Sequence, residues 1–356
     1  MSAKLFTTPP DWILPQEQED IVLCTIGRLT RNLPGSPFPG WSTAESRKAV
    51  ADTLIPAIRT LRGMKTAFHA EMSNLTYAQR QQLGTQLMLT PAMAARQDGC
   101  HILIPARRNV VFMVNEEEHL VAHFFRKGAD IEGVLSDMSK TAEQLETQLT
   151  FARTRRQGYL SSYPQECGDG MRFCAVLHLP ALTLAGMMQQ VAKGMEKLHV
   201  TLNSFYRTEN DDDCGSMYAV FSLTGSTGST AEIGAYFNSV LQHIITRELQ
   251  VRRKLMDTEY TLLADRIGRA YGCLRFAGQL TLRELRDTVS LLRLGTVLGL
   301  LRWDEKDILA ELGTLCLAAA RAAADCTKEQ EAALPALRAE AAKFFLRAHP
   351  HSIAGA

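Results

Sequence analysis

Glu116, Glu117, Glu118 and His119 stand in a row just beyond five apolar residues, Val110 to Val114. The apolar run is too brief for a helix and rich in β-branched side chains, the pattern of a strand buried on both faces. Such a strand holds the acid groups at its end rigidly, at a sheet edge where a ligand can reach them. The alternative is a solvated turn, the commoner fate of an isolated charge run. Other residues suited to chemistry lie elsewhere. Arg28 and Arg31, three apart, form either an anion site or two surface cations. Gly168-Asp169-Gly170 precedes Arg172, and flanking glycines let backbone amides or that guanidinium approach a ligand closely, although most such pairs are plain turns. His178 sits on an apolar run, where a satisfied core histidine is the default. Glu209, Asp211, Asp212 and Asp213 fall in a polar, acidic loop over 203–216, in the simplest case a solvated connection.

These residues need strands and helices to position them. Strands are expected at His101 to Pro105, Asn109 to Val114, Phe173 to Leu179 and Met217 to Leu223, with a short apolar run at Ile21 to Leu23. Val50, Leu54, Ala57 and Leu61 mark a helix over about 42–62, with Pro56 expected to kink or break it. Met138, Ala142, Leu145, Leu149 and Ala152 mark another over about 137–153. Ser229-x-x-Glu232 and Thr281-x-x-Glu284 are capping boxes, each opening a helix. From about 256 onward strand signals stop and alanine-rich helices fill 305–346. The chain thus divides into an irregular leader over 1–20, a mixed α+β domain over 21–255 and an all-helical domain over 256–356.

Composition narrows the function classes. The chain has 356 residues, 46% hydrophobic and 22% charged, which is ordinary for a globular protein. A net charge of +1 gives no reason to expect nucleic acid or an anionic membrane as partner. No apolar run approaches the roughly 18 residues that span a bilayer, and the start of the chain lacks a secretion-signal layout. Eight cysteines, scattered and without a Cys-x-x-Cys pair, suit reduced thiols in a cytoplasmic protein.

Four segments in this order, Ile21–Phe38, Phe112–Leu120, Gly158–Leu182 and Gly215–Glu232, resemble the ATP:guanidino phosphotransferase (phosphagen kinase) superfamily. The similarity is closest to the bacterial protein-arginine kinases. Asp265-x-x-x-Arg269-Ala-Tyr-Gly272 and Arg293-Leu-Gly295-x-x-x-Gly299-Leu300 are similar to their helical domain, and the short segment ahead of Arg28 fits them too. The resemblance implies a mainly antiparallel sheet flanked by helices, ATP and Mg2+ as cofactors, and arginine side chains of proteins as acceptors. It implies Glu117 as catalytic glutamate, Glu209 as second guanidinium-binding carboxylate and Glu116 near the metal's water shell. Arg28 and Arg172 would contact phosphates and His178 would line the nucleotide site. Possible partners implied by the family are a second copy of the chain, a zinc-binding activator protein and a Clp-type protease.

The sequence also departs from the family. Ile26, Val121 and Ser204 stand at three further phosphate-binding arginine positions, with Arg207 able to serve from the same loop as Ser204. Tyr163 stands where kinases of small guanidines have a reactive cysteine, and Leu334-Pro335 where the family's phosphoarginine pocket has an Arg-Asp pair. Each donor lost from a developing charge typically costs about 10²–10³ in rate. Two readings follow: a protein-arginine kinase, or a pseudokinase or adaptor that grips arginine through Glu117 and Glu209 without efficient transfer.

Overall fold

Strand β1, Val22–Arg31, carries the first arginines and lies in the interior of an eight-stranded sheet. The computed structural model describes residues 5, 9–14, 20–95, 98–205, 213–222, 229–304, 307–324 and 331–353. Along the chain β1 is followed by α1 (Ala44–Thr60), β2 (Phe68–Glu71), α2 (Tyr77–Thr85) and α3 (Pro91–Ala95). Then come β3 (His101–Ile104), β4 (Val110–Val114), β5 (Leu120–Lys127) and α4 (Ile131–Glu146). Two short strands, β6 (Arg153–Thr154) and β7 (Gly158–Tyr159), lead to β8 (Met171–His178). Next are α5 (Pro180–Leu184), α6 (Met188–Lys197), β9 (Thr201–Ser204), β10 (Met217–Phe221) and α7 (Thr230–Thr258). The remainder is α8 (Tyr260–Phe276), α9 (Leu282–Val297), β11 (Leu301–Trp303), α10 (Ile308–Ala324), α11 (Leu334–Ala348) and β12 (His351–Ile353).

The strand order is β2-β3-β4-β5-β1-β8-β10-β9. Antiparallel register is explicit for β2–β3, β3–β4, β4–β5 and β1–β5. All five residues of β4 are buried, as its continuous apolar run requires. The run that predicted it therefore sits inside the sheet, with β3 on one side and β5 on the other.

The chain folds as two compact units. One comprises Met1–Trp12, Cys24–Cys174 and Phe221–Asn238; the other comprises Ile13–Leu23, Ala175–Val220 and Ser239–Ala356. In the first, α4 packs hard against one face of β1. A Cβ on Gly27 would lie 2.2 Å from Val134 Cγ1 and 2.7 Å from the Met138 sulfur, so only glycine allows this approach. Side chains alternate along a strand, so Ile26 and Arg28 point to the opposite face, away from α4.

In the second unit Leu274, Leu285, Val289, Leu292, Leu312 and Ala342 build a helical core. Gly295 lets α9 meet Ile267 of α8, whose Cγ2 would lie 2.8 Å from an added Cβ.

The capping boxes form as their spacing predicts. Thr281 accepts from the Glu284 amide while the Glu284 carboxylate bonds back to the Thr281 amide. Ser229 and Glu232 exchange the same pair of bonds.

Several expectations need revision. Helix α1 runs through Pro56 without a break, held by the buried face of Val50, Ala51, Leu54, Ala57 and Ile58. Helix α4 starts and ends earlier than 137–153, because Asp130 caps it through the Gly133 amide and Ala152 leaves to bond the Asn32 carbonyl at 2.7 Å. The helical C-terminal part also contains a small antiparallel ribbon, β11 with β12, pairing Leu301 with Ile353.

Candidate active site

The site is built in the first unit on the turn between β4 and β5. Asn115, at φ 60°, turns the chain, and its amide donates to the His119 carbonyl at 3.0 Å. Its buried side chain donates to the carbonyls of Arg47 (2.8 Å) and Gly99 (2.7 Å), which pins the turn to the body of the unit. The left-handed backbone suits asparagine better than most residues.

This turn gives three adjacent carboxylates three different environments. Glu116 is 1% exposed. It accepts the Thr90 hydroxyl and the Glu117 amide, and its Oε2 lies 3.7 Å from Arg28 Nη2. Glu118 is wholly buried. It accepts Asn32 Nδ2 (2.5 Å), Ser161 Oγ (2.6 Å), Ser162 Oγ (2.7 Å) and the Ser162 amide (2.9 Å). Glu117 alone of the three is partly exposed. Its side chain accepts one hydrogen bond among the described residues, from the Tyr163 hydroxyl at 3.0 Å. That bond raises the Tyr163 phenol, which therefore stays a donor at neutral pH. The solvated-turn reading fails for two of the three glutamates.

His119 locks the neighbouring loop. Its Nδ1 accepts from the Leu33 amide at 3.0 Å, leaving Nε2 to donate to the Pro37 carbonyl at 2.9 Å. Burial lowers the imidazole pKa and favours this neutral tautomer.

The cations are of a different kind. Arg28, 25% exposed, has Nε and Nη2 buried without a hydrogen-bond partner among the described residues. Arg172 spends Nη1 on the preceding Met171 carbonyl at 2.7 Å and leaves its own Nε equally unmatched. Burial lowers the Arg172 pKa; Glu166 and Asp169 oppose this, while Arg28 adds to it. Two guanidiniums close enough to repel, with donors that lack a hydrogen-bond partner among the described residues, have the chemistry to hold a polyanion. His123 on β5 pairs with Arg28 in register, and burial together with that charge lowers its pKa to about 3.

The Gly-x-Gly segment is explained by architecture. Gly170, at φ +66°, has no room for a Cβ beside Arg31 Nη1 and the Thr30 carbonyl, both 2.7 Å away. Its carbonyl accepts from the Thr30 amide, and Asp169 Oδ2 accepts from the Thr230 amide at the start of α7. Arg31 is likewise structural, stacked over Tyr159 at 3.6 Å and paired with Glu146 at 3.2 Å.

His178 belongs to the second unit, is 1% exposed and has Nε2 2.8 Å from Ser290 Oγ. Burial and the charges of Arg293 and Arg252 hold it neutral. A histidine held this way packs the fold rather than facing solvent. Glu209 and Arg207 lie outside the described residues. Of the substituted arginine positions, Val121 is wholly buried in β5 opposite Thr30, Ile26 is half-buried beside Arg28 along β1, and Ser204 ends β9.

Sequence reasoning missed the clamp on Glu118 and the Thr90 bond to Glu116. The two serines follow Gly158-Tyr159 visibly enough, but nothing local links them to a carboxylate more than forty residues earlier.

The fold has counterparts among solved kinases. The chain is similar to lombricine kinase, with a TM-score of 0.56 at 18% identity over 70% of this chain and 71% of that one. It is also similar to the duplicated taurocyamine kinase from Schistosoma mansoni with bound transition-state analogue components (TM-score 0.55, 19% identity), over 70% of this chain and 37% of that one. At such identities the likeness concerns the fold, that of the phosphagen kinases.

Sequence comparison is more specific. Residues 49–251 match the model of the ATP:guanido phosphotransferase C-terminal catalytic domain, and residues 260–351 match that of the protein-arginine kinase McsB C-terminal domain. Relatives include the protein-arginine kinases of Halothermothrix orenii (29% identical, 85% of this chain and 87% of the relative) and Caldanaerobacter subterraneus subsp. tengcongensis (30% identical, 81% and 86%). The chain therefore belongs to the ATP:guanido phosphotransferase family, within which it is protein-arginine kinase-like.

Proposed function

We propose that this protein transfers the γ-phosphoryl group of ATP to arginine side chains of proteins. The observation that carries this reading is the presence in one unit of Arg28 and Arg172, with buried donors that lack a hydrogen-bond partner among the described residues, and of Glu117, the one of the three adjacent glutamates that is partly exposed. A guanidinium is protonated at physiological pH and a poor nucleophile. Glu117 grips it and takes a proton as the N–P bond forms and the bond from phosphorus to the β,γ-bridging oxygen breaks. Arg28 and Arg172 hold the phosphate oxygens and offset charge in the in-line transfer. Glu209 supplies the second carboxylate.

The donor set fits a nucleotide polyphosphate. Both oxygens of Glu116 are already engaged, so it suits Mg2+ through water rather than by direct ligation. Magnesium, when bound with ATP, neutralises phosphate charge; orientation and proton removal belong to the side chains. His178 at the end of β8, which the family resemblance places beside the nucleotide, bonds Ser290.

We further assign residues 21–255 to the catalytic domain and 256–356 to the helical one; the family matches, 49–251 and 260–351, fall on either side of this division. A cytoplasmic location accords with scattered free thiols, and no helix among the described residues is long and apolar enough to cross a membrane.

The competing adaptor reading draws on one observation: Val121 and Ile26 are apolar where phosphate ligands are expected. Incubation with Mg-ATP and an arginine-rich protein, followed by detection of acid-labile phosphate, separates the two. Phosphoarginine supports the kinase; arginine-dependent binding without any transferred phosphate supports the adaptor.

A further inference from the structure

The loop that follows β7 sets one bulky side chain against the acid turn. Tyr163 donates its hydroxyl to Glu117 Oε1 at 3.0 Å, and the residue remains 39% exposed. The loop is braced there. The Tyr163 amide donates to Ser161 Oγ at 3.1 Å, the Tyr163 carbonyl accepts from the Glu166 amide at 2.8 Å, and Ser161 and Ser162 are tied to buried Glu118. The same turn therefore fixes both partners of the Tyr163–Glu117 bond, through adjacent residues. A tyrosine thrown against a carboxylate by chance would not have its backbone anchored to the neighbouring carboxylate.

We infer that Tyr163 is a positioning and specificity residue for the arginine side chain, holding Glu117 with its hydroxyl and offering its ring face to the guanidinium. This deepens the kinase reading and rests on it for the identity of the acceptor. A carboxylate has roughly four lone-pair sites. The phenol occupies one and leaves Oε2, with the remaining lone pair of Oε1, for a bidentate guanidinium. A planar cation bound in this way lies beside an exposed aromatic face, the arrangement in which cation–π attraction adds to the ion pair. An aromatic face prefers the flat, weakly hydrated guanidinium to a lysine ammonium. The hydroxyl and the ring thus make separable contributions.

Three proteins test this: wild type, Tyr163→Phe and Tyr163→Leu. Because the ring is exposed, all three should share one melting temperature, which is checked first. With Mg-ATP and an arginine-rich protein, Tyr163→Phe is expected to lower kcat about tenfold or more through loss of a bond to a charged group, with KM for the arginine substrate little changed. Tyr163→Leu is expected in addition to raise that KM about five- to thirtyfold, while KM for Mg-ATP stays constant in both. Equal kcat and arginine KM in all three proteins would overturn the inference, as would an equal rise in the KM for Mg-ATP. Should wild type transfer no phosphate, the kinase reading fails on its own. Calorimetry with an arginine peptide and no nucleotide then decides the role of Tyr163. Weakened binding in the order wild type, Phe, Leu, with a lysine peptide unaffected, supports it. Equal affinities, or no arginine binding at all, refute it.

Discussion

Within one unit, the acid turn and the arginines beside it are prepared in opposite ways. Glu116 and Glu118 are buried and hydrogen-bonded through both oxygens, so that Glu117 is presented from a rigid base. Arg28 and Arg172 are partly buried and carry donors without a hydrogen-bond partner among the described residues, Arg28 Nη2 meeting Glu116 Oε2 only at ion-pair distance, 3.7 Å. A buried donor without a partner costs free energy that a bound anion or water restores. One side of the site is finished in the folded chain; under the proposed function an anion completes the other. The difference teaches that substitution should act on different quantities. Changes at the turn disturb either chemistry or folding, whereas changes at the arginines disturb nucleotide handling.

The largest expected effect is at Glu117. Glu117→Gln should abolish measurable transfer, a loss of about 10³-fold or more, since it removes both proton acceptor and ionic grip, while Mg-ATP affinity stays near wild type. Retained transfer would remove Glu117 from its assigned role. Next, Arg172→Ala should lower kcat/KM by about 10²–10³, roughly 3–4 kcal/mol of transition-state stabilisation, and raise KM for Mg-ATP with no change in arginine-peptide binding. An effect confined to the peptide would invert the comparison. Third, Glu118→Ala should act through stability: four donors lose their acceptor, so the urea midpoint should fall by the equivalent of about 2–3 kcal/mol. A variant of unchanged stability with lost activity would make Glu118 catalytic and the clamp irrelevant.

The last prediction concerns pH. Burial lowers the pKa of His119, His178 and His123, the last to about 3. An unfolded histidine titrates near about 6.5. Below that value the unfolded chain binds protons that the folded chain refuses, so stability is full above it and declines as pH falls toward the folded values. Urea midpoints should therefore drop between pH 7.5 and 5, and His123→Gln should flatten the decline. Equal midpoints across that range would show that these imidazoles are not buried neutral.

Much of this contrast was legible in the residues, but unevenly. The apolar run Val110 to Val114 announced β4 and the position of the acids, and both capping boxes announced their helices, because these signals are local. Strand β5 was not legible: His123 and Arg126 break any simple alternation, and the strand is defined by pairing with β1 and β4 on either side. The short β2 and β9 are likewise specified by their neighbours rather than by pattern. The pairing of Leu301 with Ile353 spans fifty residues and leaves no trace in local periodicity. At the site, the family resemblance pointed to Glu117, Arg28 and Arg172, while by residue type alone the three acids looked equivalent. What separates them is partners supplied from Thr90, Asn32, Ser161, Ser162 and Tyr163, which come together only in the fold.

The central claim is that the unmatched arginines are a nucleotide site despite the apolar residues at Ile26 and Val121. Calorimetric titration of wild type and Arg172→Ala with Mg-ATP tests it most directly. The account predicts saturable binding to wild type at or below millimolar concentration and a clear weakening in Arg172→Ala. Heats no different from buffer dilution for wild type into the millimolar range would contradict it.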